Sequence, residues 1–157
     1  MRKIATITFS LIAFLAACSS NDDTDQTQPT IADAGKLTCP TDCYECLRGG
    51  TIEFCYTFSD DVELGNFNIE IHNNFDHHTH STSSVECELS EKKVAQNAWV
   101  YNQDFSIPDG QTVYTPNISI SIPTDIDTGD YHFMIRLTDK AGWQQLRSVA
   151  IKIVGEE

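Results

Sequence analysis

The chain has 157 residues, and its 23 Asp and Glu outnumber its 10 Lys and Arg, giving a formal net charge of −13. Such an acidic surface repels nucleic acid and anionic membrane surfaces and attracts cations, so no nucleic-acid partner is expected. The sequence contains neither a Gly-rich phosphate loop nor a Gly-x-Ser-x-Gly motif. We therefore expect neither an enzyme nor an organic cofactor.

The first element is a secretion signal. Arg2 and Lys3 precede an apolar run that ends in "LAAC", where small residues stand directly before Cys18. This pattern predicts a lipoprotein signal peptide over residues 1–17, with lipidation at Cys18 and a membrane anchor. The alternative is a soluble secreted protein in which the cysteine falls there by chance.

Residues 18–36 are polar, acidic and poor in apolar side chains. Such a composition cannot bury enough surface to fold, so we expect a flexible tether. Its acidic start resembles the surface-export signal of Bacteroidota-type lipoproteins. The resemblance implies the outer membrane, with the chain facing the cell exterior. The remaining residues, 37–157, are enough for one domain.

Alternating apolar residues recur along this domain, and no window has a helical period. "GGTIEFCYTFSD", "NFNIEIH", "NISISIP", "YHFMIRL" and "VAIKIV" each place their apolar residues on one face of a strand. Gly142 in "TDKAGW" predicts a hairpin between the last two strands. Residues 83–104 indicate a short strand at "VECEL" and a loop that carries Trp99 onto the sheets. We predict an all-β, immunoglobulin-like antiparallel β-sandwich of about seven strands, preceded by a Cys-rich leading segment.

Five cysteines follow Cys18, and disulfides are the default in an exported protein. The candidates are Cys39, Cys43, Cys46, Cys55 and Cys87. Because five is odd, at least one lacks an intramolecular partner, and the spacing does not choose the pairs. A thiolate metal site in "CPTDCYEC" and free thiols are the alternatives.

Four of the five histidines lie in "IEIHNNFDHHTH". Alternation turns His72 away from the core side of its strand, and His132 avoids the core side of a strand that should be its neighbour. Imidazoles suit Zn²⁺ or Cu²⁺, and a carboxylate can bind the metal or orient a ring. The predicted ligands are His72, His78, His80 and His132, with Asp76 as a ligand or as an orienting group. In extended backbone His77 would point to the side opposite His78 and His80, so it is not among the predicted ligands. The alternative is a hydrogen-bonded structural loop.

The patterns "IHNNFDHHTH" and "GDYHF", with the strands around them, resemble a family of Bacteroidota-type lipoproteins catalogued as a domain of unknown function. The resemblance covers roughly residues 48 to 154 and implies an immunoglobulin-like fold and a surface lipoprotein, but no established activity. The cysteines of "CPTDCYEC", with Cys55 and Cys87, are not part of that resemblance.

Two functions are consistent with these residues. The first is a membrane-anchored lipoprotein that binds zinc or copper through its histidines and exchanges the metal with an uptake or surface protein. The second is a non-catalytic module that binds glycan or protein through exposed aromatic side chains, with a structural His-rich loop. Its candidate surface is Trp99, Tyr101 and Trp143, and core packing is the alternative role for those residues.

Overall fold

The structure, a computed structural model, describes residues 24–80 and 85–155. The predicted signal peptide and Cys18 lie outside the described residues. Within them, no helix is long and apolar enough to cross a membrane. The strands are β1 Thr30–Ala32, β2 Tyr44–Leu47, β3 Thr51–Phe54, β4 Thr57–Ser59, β5 Leu64–Asn73, β6 Tyr101–Ser106, β7 Val113–Tyr114, β8 Ile118–Ser121, β9 Gly129–Asp139 and β10 Gln144–Val154.

These strands form an all-β sandwich, as predicted. A five-stranded sheet in the order β2-β10-β9-β5-β6 makes one layer, and two smaller sheets, β1-β4-β7 and β3-β8, lie against it. Nearly all pairs are antiparallel, but β2 pairs with β10 in parallel, with Cys46 opposite Ile153. The two longest strands, β9 and β10, form the predicted hairpin, and Gly142 at its turn has a φ of 96°.

The core lies between the two layers and is built from the predicted apolar faces. Phe54 and Phe58 from the smaller sheets meet Phe67 of β5, with ring centroids 6.0 and 5.0 Å apart. Phe54 also stacks on Phe133 of β9 at 5.7 Å. Because the apolar residues of β5 and β9 point into this core, the alternate residues of both strands face outward from the five-stranded sheet.

Three segments differ from the sequence expectation. Residues 85–89, expected to include a strand, form none, whereas β6 pairs with β5 at the edge of the large sheet. Residues 30–32, expected in the tether, pair with β4, and Ile31 packs against the core. One apolar residue in a polar stretch is enough to hold a three-residue edge strand. Trp99 packs against the sandwich as expected and is buried.

Candidate metal centre

The site lies on the outward face of the five-stranded sheet, where β5 and β9 run side by side. His72 of β5 stands directly opposite His132 of β9 in the antiparallel register, as the alternation predicted. Their ring centroids are 5.5 Å apart. Glu70 precedes His72 by two residues and therefore shares its face.

A turn after β5 brings the remaining histidines back over the same face. The His77 N–H donates to the carbonyl of Asn74 at 3.2 Å, and His77 takes a φ of 60°. The turn is fixed at its base because the Asn74 N–H donates to the Asp130 carbonyl at 2.8 Å. The buried Phe75 ring also packs edge-on against Tyr131, with 5.3 Å between centroids. Residues 78–80 consequently lie above the paired strands.

Three imidazoles converge at this point through the same ring nitrogen. The Nε2 atom of His72 lies 3.1 Å from Nε2 of His80 and 3.4 Å from Nε2 of His78. One ligand nitrogen from each ring lies within 4.8 Å of the other two. We call His72, His78 and His80 the histidine trio. His77 is outside it, and its Nε2 lies 3.9 Å from an Asp130 carboxylate oxygen.

Carboxylates face the opposite nitrogens of two rings in the trio. Asp76 Oδ1 lies 2.6 Å from Nδ1 of His78. Glu70 Oε1 lies 3.1 Å from Nδ1 of His72, close enough for an ion pair, although this contact does not meet hydrogen-bond geometry. A carboxylate beside Nδ1 favours the proton on that nitrogen, which leaves the lone pair on Nε2. Asp76 therefore orients a ring and is not one of the three converging ligands.

His132 lies beneath the trio and supports it. Its ring centroid is 4.5 Å from that of His80 and 5.0 Å from that of His78. Its Nε2–H donates to the His78 carbonyl at 3.1 Å, so this nitrogen holds the loop in place. Its Nδ1 is buried and has no hydrogen-bond partner among the described residues. The structure thus brings His132 to the site but not its nitrogen into the trio.

Burial keeps two of these rings neutral. It lowers the pKa of His132 to about 4, with the neighbouring imidazoles adding to the effect and the His78 carbonyl opposing it. Burial also lowers the pKa of His80, and the nearby His72 and His78 lower it further while Glu70 opposes them. Neutral imidazole is the form that binds metal, so both rings are in that form at pH 7.

A groove of about 590 Å³ opens beside the trio and gives access to it. Val85, Glu86 and Leu89 border the groove together with His78, His80 and His132. An ion held by the trio would therefore keep a coordination position that is open toward this groove.

The orienting role of Glu70 was missed by sequence reasoning, although the signal was present. The two-residue spacing to His72 in "IEIHNN" already places both side chains on one face. The sequence analysis did not predict that this carboxylate would lie beside Nδ1 of His72.

The aromatic surface considered as an alternative is not assembled as one exposed patch. Trp99 is buried in the core, and its backbone N–H donates to the Tyr131 hydroxyl at 3.2 Å. Tyr101 is half-buried beside it. Trp143 is 41% exposed, and its indole N–H donates to the Asp25 carbonyl. Core packing is thus the role of Trp99.

The cysteines fall into two groups. Cys43 and Cys87 form a disulfide, which ties the Cys-rich segment before β2 to the segment after the histidine loop. Cys39, Cys46 and Cys55 are free thiols.

One comparison with known proteins, the match to a family model, supports the predicted membership of a family of unknown function. Residues 16–154 match the family described as a domain of unknown function (DUF4625). No match was found among curated proteins. Among solved structures, the "GspB Siglec domain" is similar, with 18% identity and a TM-score of 0.43. The similarity covers 84% of this chain and 60% of the length of that one.

Proposed function

The chain belongs to the DUF4625 family, a domain of unknown function, and we propose that it is a membrane-anchored metal-binding protein. In this proposal His72, His78 and His80 bind one divalent transition-metal ion on the outward face of the sandwich. The role is binding and exchange of the ion with a partner protein; catalysis is not part of the proposal.

One observation carries this proposal. The carboxylates of Glu70 and Asp76 favour protons on the Nδ1 atoms of His72 and His78, so the two Nε2 atoms face each other with lone pairs, 3.4 Å apart. Two facing acceptors repel each other, and no proton remains between them to make a hydrogen bond. A cation bound by both nitrogens removes the repulsion. Orientation of a metal-binding imidazole by a carboxylate is also the usual arrangement in protein metal sites.

The spacing of the ligand nitrogens can be compared with the coordination geometries that Zn²⁺ and Cu²⁺ prefer. Around a tetrahedral ion with Zn–N bonds of 2.0–2.1 Å, neighbouring nitrogens are about 3.3 Å apart. In a square-planar arrangement with bonds of that length, as Cu²⁺ prefers, neighbouring nitrogens are only about 2.9 Å apart. The 3.4 Å separation between Nε2 of His72 and His78 is close to the tetrahedral value, and the 3.1 Å separation between Nε2 of His72 and His80 lies between the two values, so both ions are tested and Zn²⁺ is tested first.

The proposed address rests on the amino-terminal sequence. The basic start, the apolar run and "LAAC" support export and lipidation at Cys18, and the acidic residues after it support display on the outer face of the outer membrane. A net charge of −13 would concentrate cations near such a surface. An accessible ion beside an open groove suits acquisition, buffering or delivery of zinc.

Calorimetry tests the metal site directly. The protein, purified without a His-tag and freed of metal by chelator, is titrated with Zn²⁺ and, separately, with Cu²⁺. We expect one Zn²⁺ to bind per chain, with a Kd below about 100 µM. A weaker affinity would not support a specific three-imidazole site. The double substitution His78→Ala/His80→Ala should abolish this binding.

His77→Ala is the matched control, because it removes a neighbouring imidazole that lies outside the trio. It should bind Zn²⁺ as the unsubstituted chain does. Saturable binding that survives His78→Ala/His80→Ala, or no saturable binding in the unsubstituted chain, would contradict the proposal. Export is tested separately, by metabolic labelling with a fatty acid and its loss in Cys18→Ser.

A further inference from the structure

The three free thiols are a second feature of the chain with chemistry of its own. Cys39, Cys46 and Cys55 are all reduced in the structure, whereas Cys43 is bonded to Cys87. The metal site uses none of the five.

Cys39 and Cys55 are direct neighbours through the backbone. They form an isolated antiparallel bridge, in which the Cys39 N–H donates to the Cys55 carbonyl at 3.2 Å and the Cys55 N–H donates to the Cys39 carbonyl at 3.0 Å. Antiparallel residues that exchange both hydrogen bonds have Cα atoms about 5.5 Å apart and side chains on the same face. Disulfides usually join Cα atoms about 4.4–6.8 Å apart, so this pair has the required spacing.

Cys46 has a different environment. It belongs to β2 in the five-stranded sheet, and its thiol donates to the Lys152 carbonyl at 3.5 Å. Burial raises the pKa of this thiol to about 12, and it also raises the pKa of the Cys39 thiol, so it is geometry that separates the two: among the described residues the isolated bridge joins Cys39 to Cys55 and not to Cys46. Cys39 is half-buried and is therefore the more accessible of the three to a reagent from solvent.

We propose that Cys39 and Cys55 are an oxidation site that forms a second disulfide, while Cys46 remains a thiol. The co-reactant is a small-molecule or protein disulfide. The Cys39 thiolate attacks one of its sulfurs and releases the first thiol, and the Cys55 thiolate then attacks the mixed disulfide and releases the second. Two electrons pass from the protein sulfurs to the oxidant, and the two thiol protons end on the released thiols.

This bond would fasten the irregular segment before β2 to the smaller sheets. The Cys43–Cys87 disulfide ties that segment to the chain beyond the histidine loop, and the Cys43 N–H already donates to Ala150 of β10. The second bond would attach its other end to the residue that follows β3. The segment would then be joined covalently on both sides.

Thiol counting by mass tests the proposal. The chain carrying Cys18→Ser is incubated with oxidised glutathione, unfolded in denaturant, alkylated with N-ethylmaleimide and weighed intact. We expect three alkylated cysteines before oxidation and one afterwards. In Cys46→Ser, two thiols should be alkylated before oxidation and none afterwards, whereas Cys39→Ser and Cys55→Ser should form no new intramolecular bond.

Peptide mapping of the same oxidised chain covers the case in which a variant fails to fold. Cleavage after Glu45 and Arg48 places Cys39, Cys46 and Cys55 on three different peptides. Cys39 and Cys43 share the peptide that ends at Glu45, so the expected product joins this peptide both to the peptide of Cys55 and, through the existing disulfide, to that of Cys87. Three alkylated cysteines after oxidation, or a cross-link that includes Cys46, would overturn the proposal.

Discussion

At the scale of single residues, two carboxylates determine what the histidine trio can do. Asp76 and Glu70 bind no metal in this proposal, yet they determine which nitrogen of His78 and His72 is free for it. Because Asp76 is paired with His78, the pKa of this carboxyl is lowered, and it stays ionised at neutral pH. The carboxylates are therefore as much a part of the proposed metal site as the imidazoles are.

Replacing Asp76 by Asn should weaken Zn²⁺ binding without abolishing it. Loss of a carboxylate that orients a metal-binding imidazole typically costs about 10-fold to 100-fold in metal affinity. We expect about a 10-fold rise in the Kd measured by calorimetry, since this carboxylate is exposed. Asp109→Asn makes the same charge change at a carboxylate paired with Lys140 and should leave the Kd unchanged. An equal rise in Kd for both substitutions would mean that the lost negative charge, and not the orientation of His78, weakens Zn²⁺ binding.

The buried His132 should make the metal-free fold sensitive to acid. Its pKa is about 4 in the folded chain, against about 6.5 for an unperturbed histidine, so the unfolded chain binds its proton first. The stability associated with the neutral ring is fully present above pH 6.5 and is lost as the pH falls toward 4. The shift corresponds to about 3 kcal/mol as an upper bound.

Urea unfolding of chelator-treated protein at pH 7.5 and pH 4.5 measures this loss. His132→Gln retains a hydrogen-bond donor for the His78 carbonyl but does not titrate. Its free energy of unfolding should therefore fall less between the two pH values than that of the unsubstituted chain. An equal fall in both would mean that other groups, such as the carboxylates, account for the whole effect.

At the scale of secondary-structure elements, the strands that carry the site could be predicted, because their apolar residues recur at every second position. The alternation in "NFNIEIH" and "YHFMI" correctly placed Phe67 and Phe133 in the core and turned His72 and His132 outward, where the structure pairs them. The edge strand β6 was not predicted, because "YNQDFS" has no apolar alternation. An edge strand pairs with a single neighbouring strand and keeps most of its side chains exposed, so it can form without alternating apolar residues.

The turn after β5 could not be predicted from the sequence. It depends on the left-handed backbone of His77, where glycine or asparagine is the usual residue. His77→Gly should leave the free energy of unfolding within about 1 kcal/mol of its original value, because relief of backbone strain offsets the added freedom of the unfolded chain. His77→Val should lower it by about 1–2 kcal/mol, since a β-branched residue is strained there.

Denaturant unfolding of the two variants, with Zn²⁺ binding measured alongside, checks this turn. Both should keep the trio's ligands, so His77→Gly should bind Zn²⁺ normally. If His77→Gly lost binding while remaining folded, the imidazole of His77 would have a role that its position does not indicate.

At the scale of the whole molecule, bound metal should stabilise the fold by linking segments that are distant in the sequence. The trio joins β5 to the loop above it, and His132 of β9 bonds to the same loop. Zn²⁺ at 100 times its Kd should add about 2.7 kcal/mol of stability. For a domain of this size that is a rise in Tm of roughly 10 °C.

Thermal unfolding with and without Zn²⁺ measures this rise, and chelator should reverse it. The variant His78→Ala/His80→Ala should show no change in Tm on addition of Zn²⁺, and His77→Ala should show the full rise. A similar rise in all three chains would place the stabilising ion elsewhere in the protein.

The sequence predicted which histidines meet but not how each is used. Alternation predicted that His72 and His132 point outward, and the strand order of an immunoglobulin-like sandwich predicted that their strands are neighbours, so the meeting of the two rings could be foreseen. The bond from His132 Nε2 to a loop carbonyl depends on the path of a turn and on ring rotation, which no spacing encodes. The same holds for Cys43 and Cys87, which are 44 residues apart and whose pairing depends on where two irregular segments run.

The position of β1 has a consequence for how the protein would stand on a cell. β1, the first strand among the described residues, pairs with β4 in the layer opposite the histidines. The residues before it lie at the end of the sandwich where β9 turns into β10, because the Trp143 indole N–H donates to the Asp25 carbonyl. His132 lies near the opposite end of β9. With a lipid at Cys18, the membrane-proximal end of the domain would therefore be the end away from the imidazoles, and the proposed ion would face the surroundings.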